Sequence, residues 1–376
     1  MNIDNRSLLQ MSPAMRFVIF FMVTAISLIL GGLISFSMAA YVLHIPFNDL
    51  STAIFDPKNG NLLLFINAIT IIISFLIPSV TVAYFAKGNI ANNMGFYKIG
   101  NSKQVVWVVL LAISGLYLSG ALANVTQLMP MPKNLTNWAE NLEASYKKGM
   151  GGVMNMKSVN DLISILVLVA FIPAFFEELY FRGGLQKTIK DWTGKPIVSI
   201  VITAIIFSAF HFSFYGFLSR MALGIVLGFI FEYTKSIWLS ILMHFLNNGI
   251  AIVSMYFLRN NPQKMNEAMD DNGMPIYMGI IALGFIIYFL RLLNEKNAQL
   301  SYHKKTVVQK IGDWKKIYSS PNLSSATIIA SILEENQLPV KVLNRKDSAY
   351  VFMGEAEVYV PIEFADKAAA IIAAKG

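Results

Sequence analysis

Two adjacent carboxylates and an arginine end a long apolar run at residues 171–186, FIPAFFEELYFRGGLQ. Glu178 and Arg182 are four residues apart, so on a helix they share a face and can form an ion pair. Glu177 points about 100° away, because a helix turns once in 3.6 residues. A salt bridge at a helix end would explain Glu178 and Arg182 but leaves Glu177 without a partner. Glu177 is therefore a candidate general base that faces the interior.

Two further polar groups lie in apolar segments. FSAFHF places Phe207 and His211 four residues apart, and HFLNNG places His244 and Asn248 at the same spacing. Taken singly, His211 is explained as a satisfied core residue, and His244 with Asn248 as hydrogen-bond donors between helices. Together with Glu177 they form a hydrolytic set. Glu177 and His211 can polarise a water, while His244 and Asn248 can donate to an oxyanion.

The order of these motifs, E-E-x-x-x-R, F-x-x-x-H and H-x-x-x-N, resembles the CPBP (CAAX protease and bacteriocin-processing, or Abi) intramembrane proteases. The match covers about residues 160–260, and the three motifs are specific only in combination. The resemblance implies that Glu177 activates water with His211, that His244 and Asn248 stabilise the tetrahedral intermediate, and that Arg182 braces Glu178. It also implies a membrane-associated substrate cut near its C-terminus or leader, such as a prenylated CAAX protein or a bacteriocin.

The residues alone do not decide whether the site holds a metal ion. Glu177, His211 and His244 could bind zinc and keep one position for water. The zincin signature H-E-x-x-H is absent, and Asn248 is better suited as a donor than as a ligand. The family is described both as metalloproteases and as glutamate-type enzymes without metal. We expect no obligatory metal, with zinc as the alternative.

The composition indicates a membrane protein: 55% of the residues are hydrophobic, only 14% are charged, and the mean hydropathy is +0.55. Because a bilayer is spanned by about 20 apolar residues, we predict an all-α polytopic bundle of about eight transmembrane helices. The predicted spans lie near 16–43, 61–86, 104–129, 159–181, 196–212, 217–233, 236–258 and 275–293. Gly183 and Gly184 are expected to end the fourth span and turn the chain.

Charge and cysteine content exclude several classes of function. The chain has no cysteine, which excludes disulfides, cysteine nucleophiles and thiolate metal sites. The net charge of +8 comes from Lys and Arg in loops and in the C-terminal part, a distribution that favours the lipid bilayer rather than nucleic acid as the partner. Their positions predict that both termini are cytoplasmic. We expect an integral protein of the bacterial inner membrane.

The C-terminal residues have a different pattern. WKKIYSS, LPVKVLN and EVYVPI are typical of strands, and two helical segments give the order β-α-β-β-α of a small soluble α+β domain of the ferredoxin-like kind. We predict a transmembrane domain over 1–294, a linker over 295–310 and this domain over 311–376. It resembles a small signal-transducing-type domain of many bacterial proteins. A regulatory or substrate-presenting role and a stabilising role both remain open.

A non-catalytic membrane protein of the same fold, with an immunity, scaffold or transporter role, is the rival interpretation. Transporters usually carry internal repeats, and the polar residues here concentrate in the fourth to seventh predicted spans. A scaffold that had lost its activity would also be expected to lack a motif residue, whereas all are present. The sequence therefore favours an enzyme.

Overall fold

A computed structural model describes residues 10–53, 56–149, 156–261, 274–309, 314–344 and 355–375. The chain forms two compact units, residues 1–297 and 298–376. The first unit is helical, and the second combines helices with a small sheet.

The first unit is built mainly from helices. The helices are α1 Pro13–Leu43, α2 Gly60–Phe85, α3 Ser102–Leu128, α4 Lys133–Gly149, α5 Val159–Thr193, α6 Pro196–Ala209, α7 Phe217–Thr234, α8 Ile237–Leu258 and α9 Ile276–Gln309. Single helical turns at Phe47–Asp49, Leu50–Ala53, Pro57–Asn59 and Ile90–Asn93 lie in the connections.

Seven of the described helices are long and apolar enough to cross a membrane: α1, α2, α3, α5, α7, α8 and the Ile276–Asn294 part of α9. The protein is thus an integral, multi-pass membrane protein, and the predicted helical bundle is confirmed. The predicted fifth span corresponds to α6, whose 14 residues extend about 21 Å. This is shorter than the roughly 30 Å hydrocarbon core of a bilayer.

The path of the chain through α6 follows from contacts between α5 and α7. Arg182 Nη2 donates to the Gly224 carbonyl at 3.1 Å, Gln186 Nε2 donates to the Gly228 carbonyl at 3.0 Å, and Lys190 Nζ donates to Glu232 Oε1 at 2.6 Å. Each contact lies four residues further along both helices, so α5 and α7 are parallel neighbours. The chain between them, α6 and the loop 210–216, therefore returns from one end of α5 to the other.

The expectation that Gly183 and Gly184 end a helix is wrong. Both are buried inside α5, which continues to Thr193. They are small because other elements approach closely: a Cβ on Gly183 would lie 2.8 Å from the Met94 carbonyl oxygen, and one on Gly184 would lie 2.7 Å from the Phe20 ring. The helix ends instead at Gly194, whose φ of +68° suits a residue without a Cβ.

The second unit has the predicted β-α-β-β-α order. Its elements are β1 Trp314–Ser320, α10 Leu323–Glu335, β2 Lys341–Asn344, β3 Ala356–Pro361 and α11 Ala365–Lys375. The sheet is antiparallel in the order β1-β3-β2, and its core includes Ala330, Leu333 and Val358. Asn322 caps α10, where its side chain accepts from the backbone N–H of Ser324. Residues 311–313 and 345–354 of the predicted domain lie outside the described residues.

The parallel arrangement of α5 and α7 bears on the orientation of the protein. If α6 counts as a crossing, the number of crossings is eight, and both ends of the membrane unit lie on one side. We predict that reporters fused after residue 310 and within residues 132–156 lie on opposite sides of the membrane, with the first in the cytoplasm. Matching signals from the two fusions would contradict this topology.

Candidate active site

A buried ion cluster connects α5, α7 and α8. Arg182 Nη1 donates to Glu178 Oε1 at 2.9 Å, so the ion pair expected from the sequence is present. His244 Nδ1 lies 2.9 Å from the same oxygen. Both Glu178 and Arg182 are fully buried. Because an ionised carboxylate only accepts hydrogen bonds, His244 donates its Nδ1 proton to Glu178, and its Nε2 atom is left for other contacts.

Glu177 lies on the other side of the same imidazole. Its Oε2 atom is 3.9 Å from His244 Nε2, so His244 stands between two carboxylates. The Glu177 side chain is largely buried, and among the described residues Oε2 has no hydrogen-bond partner. Adjacent positions on α5 thus place two chemically identical groups in different surroundings: Glu178 Oε1 accepts from Arg182 and His244, whereas Glu177 lies across the imidazole from them, and Oε2 of each carboxylate has no partner among the described residues.

His211 lies in the turn that follows α6. The helix tightens at its end, where the backbone N–H of His211 donates to the Ser208 carbonyl. The Phe207 carbonyl one position earlier instead accepts from His211 Nδ1 at 2.8 Å. A carbonyl can only accept, so the proton sits on Nδ1 and the Nε2 atom of a neutral His211 carries a lone pair.

Phe207 brings these groups together. Its ring centroid is 4.8 Å from that of His211 and 5.7 Å from that of His244, and the Arg182 guanidinium lies 5.0 Å from it. The phenylalanine of the F-x-x-x-H motif is therefore a packing partner of both histidines and of the arginine. It excludes water from one side of the ion cluster, which strengthens the interactions there.

Asn248 lies one turn beyond His244 on α8, on the same face by helical geometry, and is partly buried. The preceding Asn247 is directed toward Gly115 of α3. The two neighbouring asparagines therefore lie on different faces of α8. The structure thus brings Glu177, Glu178, Arg182 and His244 into one cluster, with His211 packed beside it through Phe207 and Asn248 one turn away.

The two glutamates lie between two π-helical segments of α5, Leu166–Phe171 and Leu179–Gln186. Such segments are rare and occur often at functional sites. The second contains Arg182 and both glycines that admit close neighbours. This second π-helical segment is therefore also the part of α5 that packs against α7 and the Met94 backbone.

The part of the chain that holds this cluster matches a known family. Residues 159–250 match the family model described as type II CAAX prenyl endopeptidase, Rce1-like. The predicted resemblance to CAAX proteases is confirmed. The matched segment runs from the start of α5 into α8 and contains all six candidate site residues.

Part of the chain is also similar to a curated protein. The chain is 25% identical over 122 residues to "Uncharacterized protein YpbD" of Bacillus subtilis (strain 168), which is 31% of this chain and 58% of the relative. The chain therefore spans less than two thirds of the length of that relative. No solved structure matches the chain significantly.

Arg220 is a polar residue near the site that the sequence motifs do not include. It lies within α7, one turn before Gly224, and its guanidinium is within electrostatic reach of Glu177 and His211. The signal for it was available, since an arginine inside an apolar span is costly and is by default functional. It was overlooked because it belongs to none of the three motifs.

The amphipathic helix α4 contacts the loop that carries His211. Ser213 donates to Glu143 Oε2 at 2.8 Å, and the Trp138 and Phe214 rings lie 5.8 Å apart. Helix α4 therefore packs against the loop between α6 and α7.

The zinc alternative would use Glu177, His211 and His244. In the part of the chain that the structure describes, no group of three or more His, Asp or Glu side chains is arranged to hold a metal ion. Both histidines commit Nδ1, to the Phe207 carbonyl or to Glu178, and present Nε2, which is also the orientation of metal-binding histidines. Glu177 Oε2 lies 3.9 Å from His244 Nε2.

The buried pair predicts a stability effect. Glu178→Gln or Arg182→Gln leaves the other charge buried without its partner, which costs about 3–5 kcal/mol. We expect each variant to unfold at a clearly lower temperature in detergent, whereas the same change at exposed Glu140 should have little effect. Unchanged thermal stability in both site variants would show that the pair is unimportant for folding.

Proposed function

We propose that this protein is an intramembrane endopeptidase of the CAAX-protease type. It hydrolyses a peptide bond near the C-terminus or leader of a membrane-associated peptide or protein. The observation that carries this proposal is the position of His244 between Glu178, which orients it, and Glu177, which remains available for water. The family match over residues 159–250 supports the reaction class.

In this mechanism, Glu178 and Arg182 position His244. Arg182 is fixed by its bonds to Glu178 and the Gly224 carbonyl, and Glu178 in turn fixes His244 Nδ1. A carboxylate that sets the tautomer and orientation of a histidine is a recurrent device in hydrolases. The cluster therefore acts as a rigid support, and Glu178 does not take part in proton transfer.

Glu177 is the general base. A water molecule at ordinary hydrogen-bond lengths can contact both Glu177 Oε2 and His244 Nε2 across their 3.9 Å separation. His211 adds a second acceptor, Nε2, because its Nδ1 proton is held by the Phe207 carbonyl. Glu177 removes one proton from the water as its oxygen attacks the carbonyl carbon, and His211 orients the water.

The attack produces a tetrahedral oxyanion. The Asn248 amide donates to it, and His244 donates through Nε2 when the imidazole carries its second proton, a charge that Glu178 balances. Glu177 then returns its proton to the peptide nitrogen, the oxyanion re-forms the carbonyl as the C–N bond breaks, and the products are a carboxylic acid and an amine, which become a carboxylate and an ammonium when the acid passes its proton to the amine. Preorganised donors of this kind are often the largest single contribution to catalysis in hydrolases.

The location of the site supports a substrate presented from the bilayer. The catalytic groups lie on helices that belong to a multi-pass bundle, so a peptide anchored in the membrane reaches them without leaving it. We propose the bacterial inner membrane, with both termini cytoplasmic. A suitable probe is a fluorogenic prenylated peptide that ends in a CAAX sequence, after the description of the matched family.

Glu177→Gln tests the general base. The change keeps the shape of the side chain but removes the proton acceptor, so turnover of the probe peptide by protein in liposomes should fall by about 10²–10⁴-fold. The variant should elute and unfold like the wild type, and Glu140→Gln should retain activity. Near-normal turnover by folded Glu177→Gln protein would refute the mechanism, and no turnover by any form would favour a non-catalytic role.

Metal removal tests the hydrolytic chemistry. If Glu177 and His211 activate water directly, extensive chelation should leave most of the activity. His244→Asn, which substitutes one donor for another, should retain measurable turnover, because the loss of one oxyanion donor costs about 10²–10³-fold. Activity that is lost on chelation, restored by stoichiometric zinc and accompanied by one zinc per chain that His244→Asn loses would establish a metalloenzyme.

A further inference from the structure

Arg220 occupies the next position in the regular contacts between α5 and α7. The contacts Arg182–Gly224, Gln186–Gly228 and Lys190–Glu232 each join residues 42 apart. Continued by one turn toward the N-termini, the series places Arg220 beside Glu178. The backbone of Arg220 therefore lies at the level of the two carboxylates on α5. The lateral separation of packed helices is about 8–10 Å.

The side chain of Arg220 extends toward the N-terminus of α7, as long helical side chains do. Its guanidinium lies against Gly216, where a Cβ would overlap it and lie 2.6 Å from Cζ. Gly216 also donates its backbone N–H to Ser213 in the loop that carries His211. The absence of a side chain at position 216 is thus what lets the guanidinium occupy this place.

Two sources of positive charge coincide there. The guanidinium carries a full charge, and the N-terminal end of the 18-residue helix α7 adds the partial positive charge of the helix dipole. The nearby loop also contacts one acidic side chain, Glu143, through Ser213.

We propose that Arg220 binds the C-terminal carboxylate of the substrate. This inference rests on the proposed peptidase function and makes Arg220 a specificity-determining residue. A peptide carries an α-carboxylate at its end whatever its sequence, and the planar guanidinium matches a carboxylate with two parallel hydrogen bonds. Recognition of that group beside Glu177 restricts cleavage to bonds a short distance from the C-terminus.

A competing role is electrostatic support of the reaction itself, because the α5–α7 contacts place the Arg220 charge beside the two glutamates. The two roles differ in kinetics. A carboxylate anchor affects substrates with a free C-terminus and acts mainly on KM. Support of the reaction affects every substrate and acts on kcat.

The test compares two forms of the prenylated CAAX probe, one with a free C-terminal acid and one with a carboxamide, using full-length protein in liposomes. We expect wild type to prefer the acid by about tenfold to a hundredfold in kcat/KM, the range for hydrogen bonds to charged groups. Arg220→Gln should remove this preference by raising KM for the acid alone. Arg220→Lys should keep part of it, and Gly216→Ala should lower it by displacing the guanidinium.

Arg291→Gln, the same change at an exposed position of α9, is the control. Equal cleavage of acid and amide by wild type would overturn the proposal, as would an equal loss of kcat on both probes in Arg220→Gln. Binding of both probes to folded Glu177→Gln protein gives an answer that does not depend on turnover. Equal affinity of this variant for the acid and the amide would overturn carboxylate recognition. Absence of turnover by wild type, without that result, would refute only the peptidase function.

Discussion

The fully buried ion pair of Glu178 and Arg182 constrains the rest of the membrane unit. Two charges removed from water are tolerated only where good geometry and further hydrogen bonds compensate for their lost solvation. Here those bonds come from other helices, the Gly224 carbonyl of α7 and the imidazole of His244 on α8. A shift of either helix would leave a charged group unsatisfied, so the cluster fixes their relative positions. The same requirement that stabilises the bundle also orients the histidine of the candidate site.

Small residues allow this arrangement. Gly224 packs against Ala204 of α6, where a Cβ would lie 3.1 Å from the alanine. Gly183 meets the Met94 backbone in the same way. Without a strong hydrophobic drive for helix association inside lipid, such close backbone approach and interhelical hydrogen bonds supply much of the packing energy. The π-helical turns of α5 and the return path of α6 belong to the same arrangement. In it, α5 and α7 run side by side and direct their polar groups inward.

Local patterns predicted the features that depend on one helix. The spacing of Glu178 and Arg182 predicted their pair, and apolar segment length predicted the bundle. The pairing of His244 with Glu178 could not be predicted, because it joins residues 66 positions apart and depends on how α8 packs. The glycines after Arg182 were misread for a related reason: a glycine pair that ends a helix and one that admits a neighbouring backbone have the same sequence. Arg220 stands out in the sequence as a costly charge inside an apolar span, but only the tertiary alignment of α5 and α7 places it beside the site.

The hydrogen-bond donors and acceptors of the candidate site explain why both histidines lie near Glu177. Each histidine commits Nδ1, to the Phe207 carbonyl or to Glu178, so each presents Nε2 to other groups when neutral. Glu177 adds a third acceptor. The reactant water has two protons to donate, so hydrogen-bond acceptors bind it well. The oxyanion that forms from the substrate carbonyl requires hydrogen-bond donors instead. In the proposed mechanism, Asn248 and a second proton on His244 meet that need, and both residues are on α8. In that mechanism, water activation depends mainly on α5 and the turn after α6, while stabilisation of negative charge depends on α8, which the buried ion pair holds in place through His244.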